Sequence, residues 1–132
     1  ALNANPAAVS QWNTADNALN SEMAAWTTSI NACNKTKSLT CATAADAQAA
    51  GYMSAFASQV QGIAMPSAAT SAAAKLVADA TTASADFTTV SQDKTLAEYQ
   101  ADMASSGLSP DLDAVQADIN SVVTALNNSG PS

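Results

Sequence analysis

Five stretches of the chain place apolar residues at alternating steps of three and four, the spacing that keeps them on one side of a helix. The first stretch is the clearest, because only Asp16 interrupts its apolar stripe. That stripe consists of Val9, Trp12, Asp16, Leu19, Met23, Trp26, Ile30 and Cys33. Because short polar turns separate the stretches and the sequence has no strand pattern, the chain is predicted to be all-α.

The turns and helix caps predict an up-and-down antiparallel bundle of four to five helices, one of them short, in a single domain over 1–132. The predicted helices are 6–33, 42–64, 67–92, 95–106 and 109–127, followed by a tail over 128–132. Their starts are predicted from Asn5 before Pro6, Thr43 with Asp46, Ser67, Thr95 with Glu98, and Ser109 before Pro110. Gly107 is the predicted end of the short fourth helix, which we expect to act as a lid or crossover piece.

The composition constrains both the core and the partners of the bundle. The chain has 33 Ala and six aromatic residues, so its core must be built largely from small side chains on close-packed helices. It has no His and no Arg, and its four Lys and eleven acidic residues give a net charge of −7. Without a basic stripe, binding to nucleic acid or to anionic lipid surfaces is disfavoured.

The two cysteines, Cys33 and Cys41, flank a polar turn between the first two helices, and their spacing is easily bridged by a disulfide. The alternative is two unrelated free thiols. The disulfide is favoured and indicates an oxidising compartment. Together with a Ser/Thr/Asn/Gln-rich surface and an N-terminus that resembles one left after signal-peptide removal, it predicts a secreted, extracellular or cell-envelope protein. No apolar run is long enough for a transmembrane segment.

No motif in the sequence supports enzyme chemistry, a cofactor or a metal site. A Ser or Cys nucleophile has no His to act as its base, and no glycine-rich phosphate loop is present. The methionines are interpreted as core residues rather than metal ligands. Asp79 and Asp86 share one helix face, as do Asp111 and Asp118; these pairs could bind a cation weakly but are more typical of a solvated face.

Seven residues are candidates for contact with a ligand, because they would surround the bundle centre. They are Trp12, Asp16, Trp26, Tyr52, Phe56, Phe87 and Tyr99. The aromatic members would either line an apolar pocket or fill an Ala-rich core. Asp16 would either anchor a ligand head group or lie at the edge of the core, with Ala15 taking the buried position; the second interpretation is favoured.

The early Trp12, a Cys near the first turn, Pro66 before an Ala-rich helix and the Leu/Val-stepped last helix resemble small exported helical proteins of actinobacteria. Many of those proteins are lipoproteins of unknown function, and the family supplies no catalytic residues to transfer. The low charge, the glycosylation-type motifs at Asn34 and Asn127 and the aromatic interior are similar, more weakly, to fungal hydrophobic-surface-binding cell-wall proteins. That resemblance implies a helical bundle, with a fatty-acid tunnel in some relatives.

The sequence therefore predicts a secreted, non-enzymatic protein that binds a fatty acid or another apolar ligand in the bundle core. The alternative is a structural or interaction protein of the cell envelope without a small-molecule site. The oligomeric state is left open.

Overall fold

A computed structural model describes residues 6–105 and 107–128. Within those ranges the chain forms five α-helices, one 3₁₀ turn and no strand, which confirms the predicted all-α bundle. The helices are α1 (Pro6–Thr36), α2 (Leu39–Gln61), α3 (Thr70–Ser91), α4 (Leu96–Ser105) and α5 (Leu108–Asn127), with the 3₁₀ turn at Ser67–Ala69. The predicted cap Asn5, residue 106 and positions 129–132 of the predicted tail lie outside the described residues.

The contacts between helices run in antiparallel register. Trp12 contacts Phe56 toward one end of the α1–α2 pair, and Cys33 is bonded to Cys41 at the other end. The most extensive interface joins α2 to α3; α1 packs on α2, and α5 packs on α3. No helix of the described ranges is long and apolar enough to cross a membrane.

Alanines make up a large part of the buried core, as the composition predicts. Ala49, Ala80 and Ala83 are fully buried, in the same cluster as Phe56 and Phe87. Small side chains let helix backbones approach closely, so the few large residues can fill the remaining space between α1, α2 and α3. In this way the Ala-rich face of α3 packs into the core of the bundle.

The predicted boundaries of the first two helices, 6–33 and 42–64, need correction. Helix α1 continues to Thr36, and Lys37 turns the chain with a left-handed φ of 51°. Ser38 then caps α2, because its hydroxyl accepts a hydrogen bond from the Cys41 N–H at 3.1 Å. The predicted cap Thr43 is inside the helix, where its hydroxyl donates to the Leu39 carbonyl. At its other end α2 stops at Gln61, before the predicted residue 64.

The later boundaries are closer to the prediction. The third helix proper begins at Thr70 rather than 67, because Ser67–Ala69 form a 3₁₀ turn that has no side-chain cap. The fourth is capped as predicted: the Glu98 N–H donates to the Thr95 hydroxyl at 3.1 Å, and the Glu98 carboxylate accepts from the Lys94 N–H. Gly107, predicted as the end of the fourth helix, has a φ of 82° and is the residue directly before α5. Because α5 starts at Leu108, the predicted cap Ser109 lies inside the helix.

The cysteine pair is bridged as predicted. Cys33 and Cys41 form a disulfide with their Cα atoms 5.4 Å apart, and since α1 and α2 are longer at this end than predicted, the bridge joins two helical positions. Cys33 is buried with Val90 and Tyr99 in a second, smaller core cluster. A disulfide here fits an oxidising environment.

Candidate functional site

Four of the predicted ligand-contacting aromatic residues form two separate edge-to-face pairs. Trp12 and Phe56 have ring centroids 6.0 Å apart, and Trp26 and Phe87 have theirs 5.2 Å apart. Such pairs are stabilising beyond the area that they bury. The rings therefore pack on one another, joining α1 to α2 and α1 to α3.

The two tyrosines lie apart from these pairs. Tyr52 is half-buried at the margin of the main core, whereas Tyr99 is buried in the second cluster. Of the seven predicted candidates, Tyr99 alone lines one of the four surface grooves described below. None of these four grooves is lined by more than one of the seven residues.

Asp16 lies at the edge of the core, and Ala15 takes the buried position, as the favoured interpretation predicted. One carboxylate oxygen of Asp16 is buried without a hydrogen-bond donor among the described residues. Burial raises the pKa of this carboxyl group. Asp16 thus has no salt-bridge partner in the described part of the chain.

A fully buried carboxylate that the sequence analysis did not single out is Asp46 in α2. It accepts a hydrogen bond from the Trp26 indole N–H at 2.8 Å and another from the Tyr99 hydroxyl at 2.5 Å. Burial raises the pKa of Asp46, while the two hydrogen bonds lower it. Burial and the bond to Asp46 also raise the pKa of Tyr99, so its hydroxyl remains a donor. Asp46 therefore connects α1, α2 and α4 through neutral donors.

Sequence reasoning placed Asp46 at a helix start, as the acid of a capping box. A signal for its burial was present, because Asp46 follows Ala42 by four residues and precedes Ala49 by three, and both alanines are buried. The distant donors on α1 and α4 could not be identified from that spacing.

Three aspartates at seven-residue spacing, Asp79, Asp86 and Asp93, each face another aspartate across a helix interface. Their partners are Asp118, Asp111 and Asp102 respectively, each close enough to shift the pKa of the aspartate that it faces. We call these three pairs the acid ladder. The sequence placed Asp79 with Asp86, and Asp111 with Asp118, on shared faces; the structure turns these two faces toward each other.

One pair of the acid ladder holds a lysine. The Lys75 ammonium group lies 2.8 Å from Asp79 and 3.0 Å from Asp118. Hydrogen bonds from Asp118 and Lys75 lower the pKa of Asp79, whereas burial raises that of Asp118. This pair is therefore partly neutralised.

The other two pairs have no cation within salt-bridge distance among the described residues. Burial, then the neighbouring Asp111, raises the pKa of Asp86 to about 6. Burial, then Asp102 and Glu98, raises the pKa of Asp93 to about 6. Two carboxyl groups this close favour holding one proton between them. Within the described ranges, no group of three or more His, Cys, Asp or Glu residues is arranged to hold a metal ion.

Open grooves on the surface are the remaining places for a ligand. One groove of about 450 Å³ runs between the end of α2 and the first half of α3. We call it the α2–α3 groove; it is lined by Val60, Gln61, Ile63, Met65, Thr70, Ala73, Ala74 and Val77. Its volume lies within the range of small-molecule sites, and its lining contains no charged residue.

Three other grooves of similar volume have more polar or smaller linings. The groove between α1 and α2 is lined largely by Ser, Gln and Thr, and the one beside α5 contains Asn and Ser with alanines. The groove between α1 and α4 places Ile30 and Met103 beside Asn34 and Gln100. Of the four, the α2–α3 groove has the largest number of apolar residues in its lining, whereas the groove between α1 and α4 exposes the smallest share of polar surface.

Comparison with protein-family models, with curated proteins and with solved structures finds no significant match to this chain.

Proposed function

We propose that the chain is an exported, non-enzymatic binding protein that takes an apolar ligand, such as a fatty acid, in the α2–α3 groove. The observation that carries this proposal is a groove of about 450 Å³ in which four larger apolar side chains occur without a charge. Those side chains are Val60, Ile63, Met65 and Val77. Proteins recognise small ligands through such mostly apolar sites with a few polar groups at the edge.

The groove is a better candidate than the bundle centre that the sequence favoured. At the centre, the rings of Trp12 and Trp26 are already paired with Phe56 and Phe87, and the alanines of α3 are closely packed. A ligand there would have to displace those contacts, whereas a ligand in the groove would cover the half-buried Met65 and Val77 and the exposed Ala74 above the buried Val60 and Ile63.

The lining also indicates how a ligand would be held. Gln61 and Thr70 supply the polar lining, and neither can form an ion pair. Binding would therefore depend on the burial of apolar surface, with any charged head group left in water. Each added CH₂ that enters the groove should strengthen binding by about two- to fourfold.

The disulfide supports export, and the surface supports a free binding module. The Cys33–Cys41 disulfide fits an oxidising compartment. The surface presents few large apolar residues, with Leu96 and Val123 the exposed ones among the described residues. This polar surface favours a binding protein that is not docked on a partner. A structural or interaction protein of the cell envelope, the alternative function, would be expected to dock through an apolar face.

The test is to measure the affinity for saturated fatty acids of increasing length, and for the matching alcohols, by displacement of a fluorescent apolar dye. In the variant Ala74→Trp, an exposed residue of the groove lining is enlarged to fill it. The matched control is Ala85→Trp, at an exposed position of α3 outside the groove.

We expect similar affinity for acid and alcohol, a gain with chain length, and a loss of about tenfold or more, equivalent to about 1.4 kcal/mol, in Ala74→Trp alone. Equal binding by both variants would place the ligand elsewhere. No binding by the unmodified protein would overturn the proposal and favour the envelope alternative.

A further inference from the structure

We propose that the acid ladder is a latch, a pH-dependent contact that controls how tightly α4 and α5 pack on α3. The two helices pack tightly when each carboxyl pair shares a proton, and they loosen when both carboxyl groups of a pair ionise. This inference is independent of the α2–α3 groove, because none of the six aspartates of the ladder lines that groove.

The register of the acid ladder follows from the antiparallel packing of α3 against α5. Moving seven residues up α3, from Asp79 to Asp86, moves the facing partner seven residues down α5, from Asp118 to Asp111. The next step reaches Asp93, just beyond α3, which faces Asp102 of α4. The three pairs thus lie at successive levels along one side of α3, and they join it to both of the last two helices.

Each pair is placed where water cannot fully screen its charges. Asp118 is buried and the remaining five aspartates are half-buried. One carboxylate oxygen each of Asp86, Asp93 and Asp118 is buried with no donor among the described groups. A proton shared within a pair supplies the missing donor, while two ionised carboxylates would leave these oxygens unpaired and repelling one another.

The groups facing the ladder do not cancel its charge. Asp86 interacts with Asp111 alone among the described charges, and Asp93 interacts with Asp102 and Glu98 of α4. The Tyr99 hydroxyl, which is bonded to Asp46, also interacts with Asp93. Lys75 forms salt bridges with Asp79 and Asp118 and with no other described aspartate. Lys94, which follows Asp93 in the chain, is exposed and forms no salt bridge with a described residue. The two pairs nearest α4 are therefore the ones that depend on a proton.

The short helix α4 is the element that such a latch would release first. It has only 10 residues and packs sparsely on α3. Besides the apolar packing of Tyr99 and Met103, its polar attachments across the interior of the described chain are the Tyr99 bond to Asp46 and the pair of Asp102 with Asp93. Loss of the shared proton removes one of these two attachments and introduces repulsion in its place.

The direction of the pH effect follows from linkage. A carboxyl group whose pKa is higher in the folded state binds more protons there than in the unfolded chain. With the pKa values of Asp86 and Asp93 at about 6, the contribution of these two groups to the free energy of unfolding is therefore largest in acid and is lost as the pH rises from about 4 to about 6. This is the reverse of the usual acid destabilisation of proteins.

The first test compares melting temperatures at about pH 4.5 and about pH 7.5, for the unmodified protein and for Asp86→Asn and Asp93→Asn. Asn resembles the protonated acid in shape, so each variant keeps a donor in its pair at both pH values. The control Asp113→Asn removes the same charge from an exposed position of α5 outside the ladder.

We expect the unmodified protein to melt about 5 °C higher in acid. Each ladder variant should reduce that difference by raising the melting temperature at neutral pH, and Asp113→Asn should leave it unchanged. The variants are needed because burial also raises the pKa values of Asp16 and Asp46, which affect the unmodified protein in the same direction. A similar response in Asp113→Asn would instead indicate the net charge, and would overturn the proposal.

The second test needs no variant. Amide hydrogen exchange, corrected for the pH dependence of the intrinsic rate, should become faster in α4 and α5 than in α2 between the same two pH values. A uniform change across all helices, or none, would contradict a latch at this interface.

Discussion

Buried aspartates are treated in opposite ways at two places in this bundle. Asp46 is fully buried between α1, α2 and α4, and two neutral donors satisfy its carboxylate. In the acid ladder, by contrast, Asp86 and Asp93 face further carboxyl groups. A buried acid can thus be satisfied either by donors that the fold supplies or by a proton taken from solvent, and the second solution requires that proton for its hydrogen bond.

Removing the Asp46 carboxylate should give the largest effect. Asp46→Ala leaves the Trp26 N–H and the Tyr99 hydroxyl buried without an acceptor, which should lower the free energy of unfolding by about 3 kcal/mol. Urea unfolding near neutral pH measures this change. The conservative Asp46→Asn keeps one acceptor oxygen and should lose about half as much; an equal loss in both variants would mean that the negative charge, not the acceptors, is what stabilises the site.

Opening the disulfide should have the next largest effect. Cys33 and Cys41 close a loop of eight residues, so replacing both with Ser should lower the free energy of unfolding by about 2–3 kcal/mol through the entropy of the unfolded chain. The comparison is with the unmodified protein under reducing conditions, which should match the double variant. A loss that appears only in the variant would instead indicate that a serine hydroxyl packs poorly at the buried position of Cys33.

The same substitution should have opposite signs at the two kinds of aspartate. Near neutral pH, Asp46→Asn should destabilise the protein, whereas Asp86→Asn should stabilise it by about 1 kcal/mol or less, since water screens this half-buried pair. Urea unfolding at about pH 7.5 and about pH 4.5 gives both values, and the gain at Asp86 should vanish in acid. Destabilisation by Asp86→Asn near neutral pH would show that the ladder is stabilised by ionised groups.

The stripe positions and turn chemistry were sufficient to predict five helices, because both signals are local. The capping box at Thr95 and Glu98 was predicted on that basis and is present. The turn between α1 and α2 was placed too broadly, since the left-handed Lys37 gives no sequence signal of the kind that a glycine gives.

The polar contacts between helices could not be predicted in the same way. Seven-residue spacing placed Asp79 and Asp86 on one face of their helix. Which other helix packs on that face depends on the arrangement of the helices in the bundle, which the spacing does not give. Asp46 likewise meets Trp26 and Tyr99, twenty and fifty-three residues away, only after α1, α2 and α4 have packed. The candidate aromatic residues are buried or half-buried, as their hydrophobicity requires. The sequence did not show that four of them form two separate edge-to-face pairs.

Removing the cap of α4 should have a similarly small effect and should separate local loosening from proton dependence. Thr95→Ala deletes the hydroxyl that accepts from the Glu98 N–H and should lower the free energy of unfolding by about 1 kcal/mol. Exchange should become faster throughout α4, yet the difference in melting temperature between acidic and neutral pH should be unchanged, because no carboxyl pair is altered. If that difference changes as much as in Asp93→Asn, the pH response belongs to the fraying of α4 itself and not to the aspartates that face it.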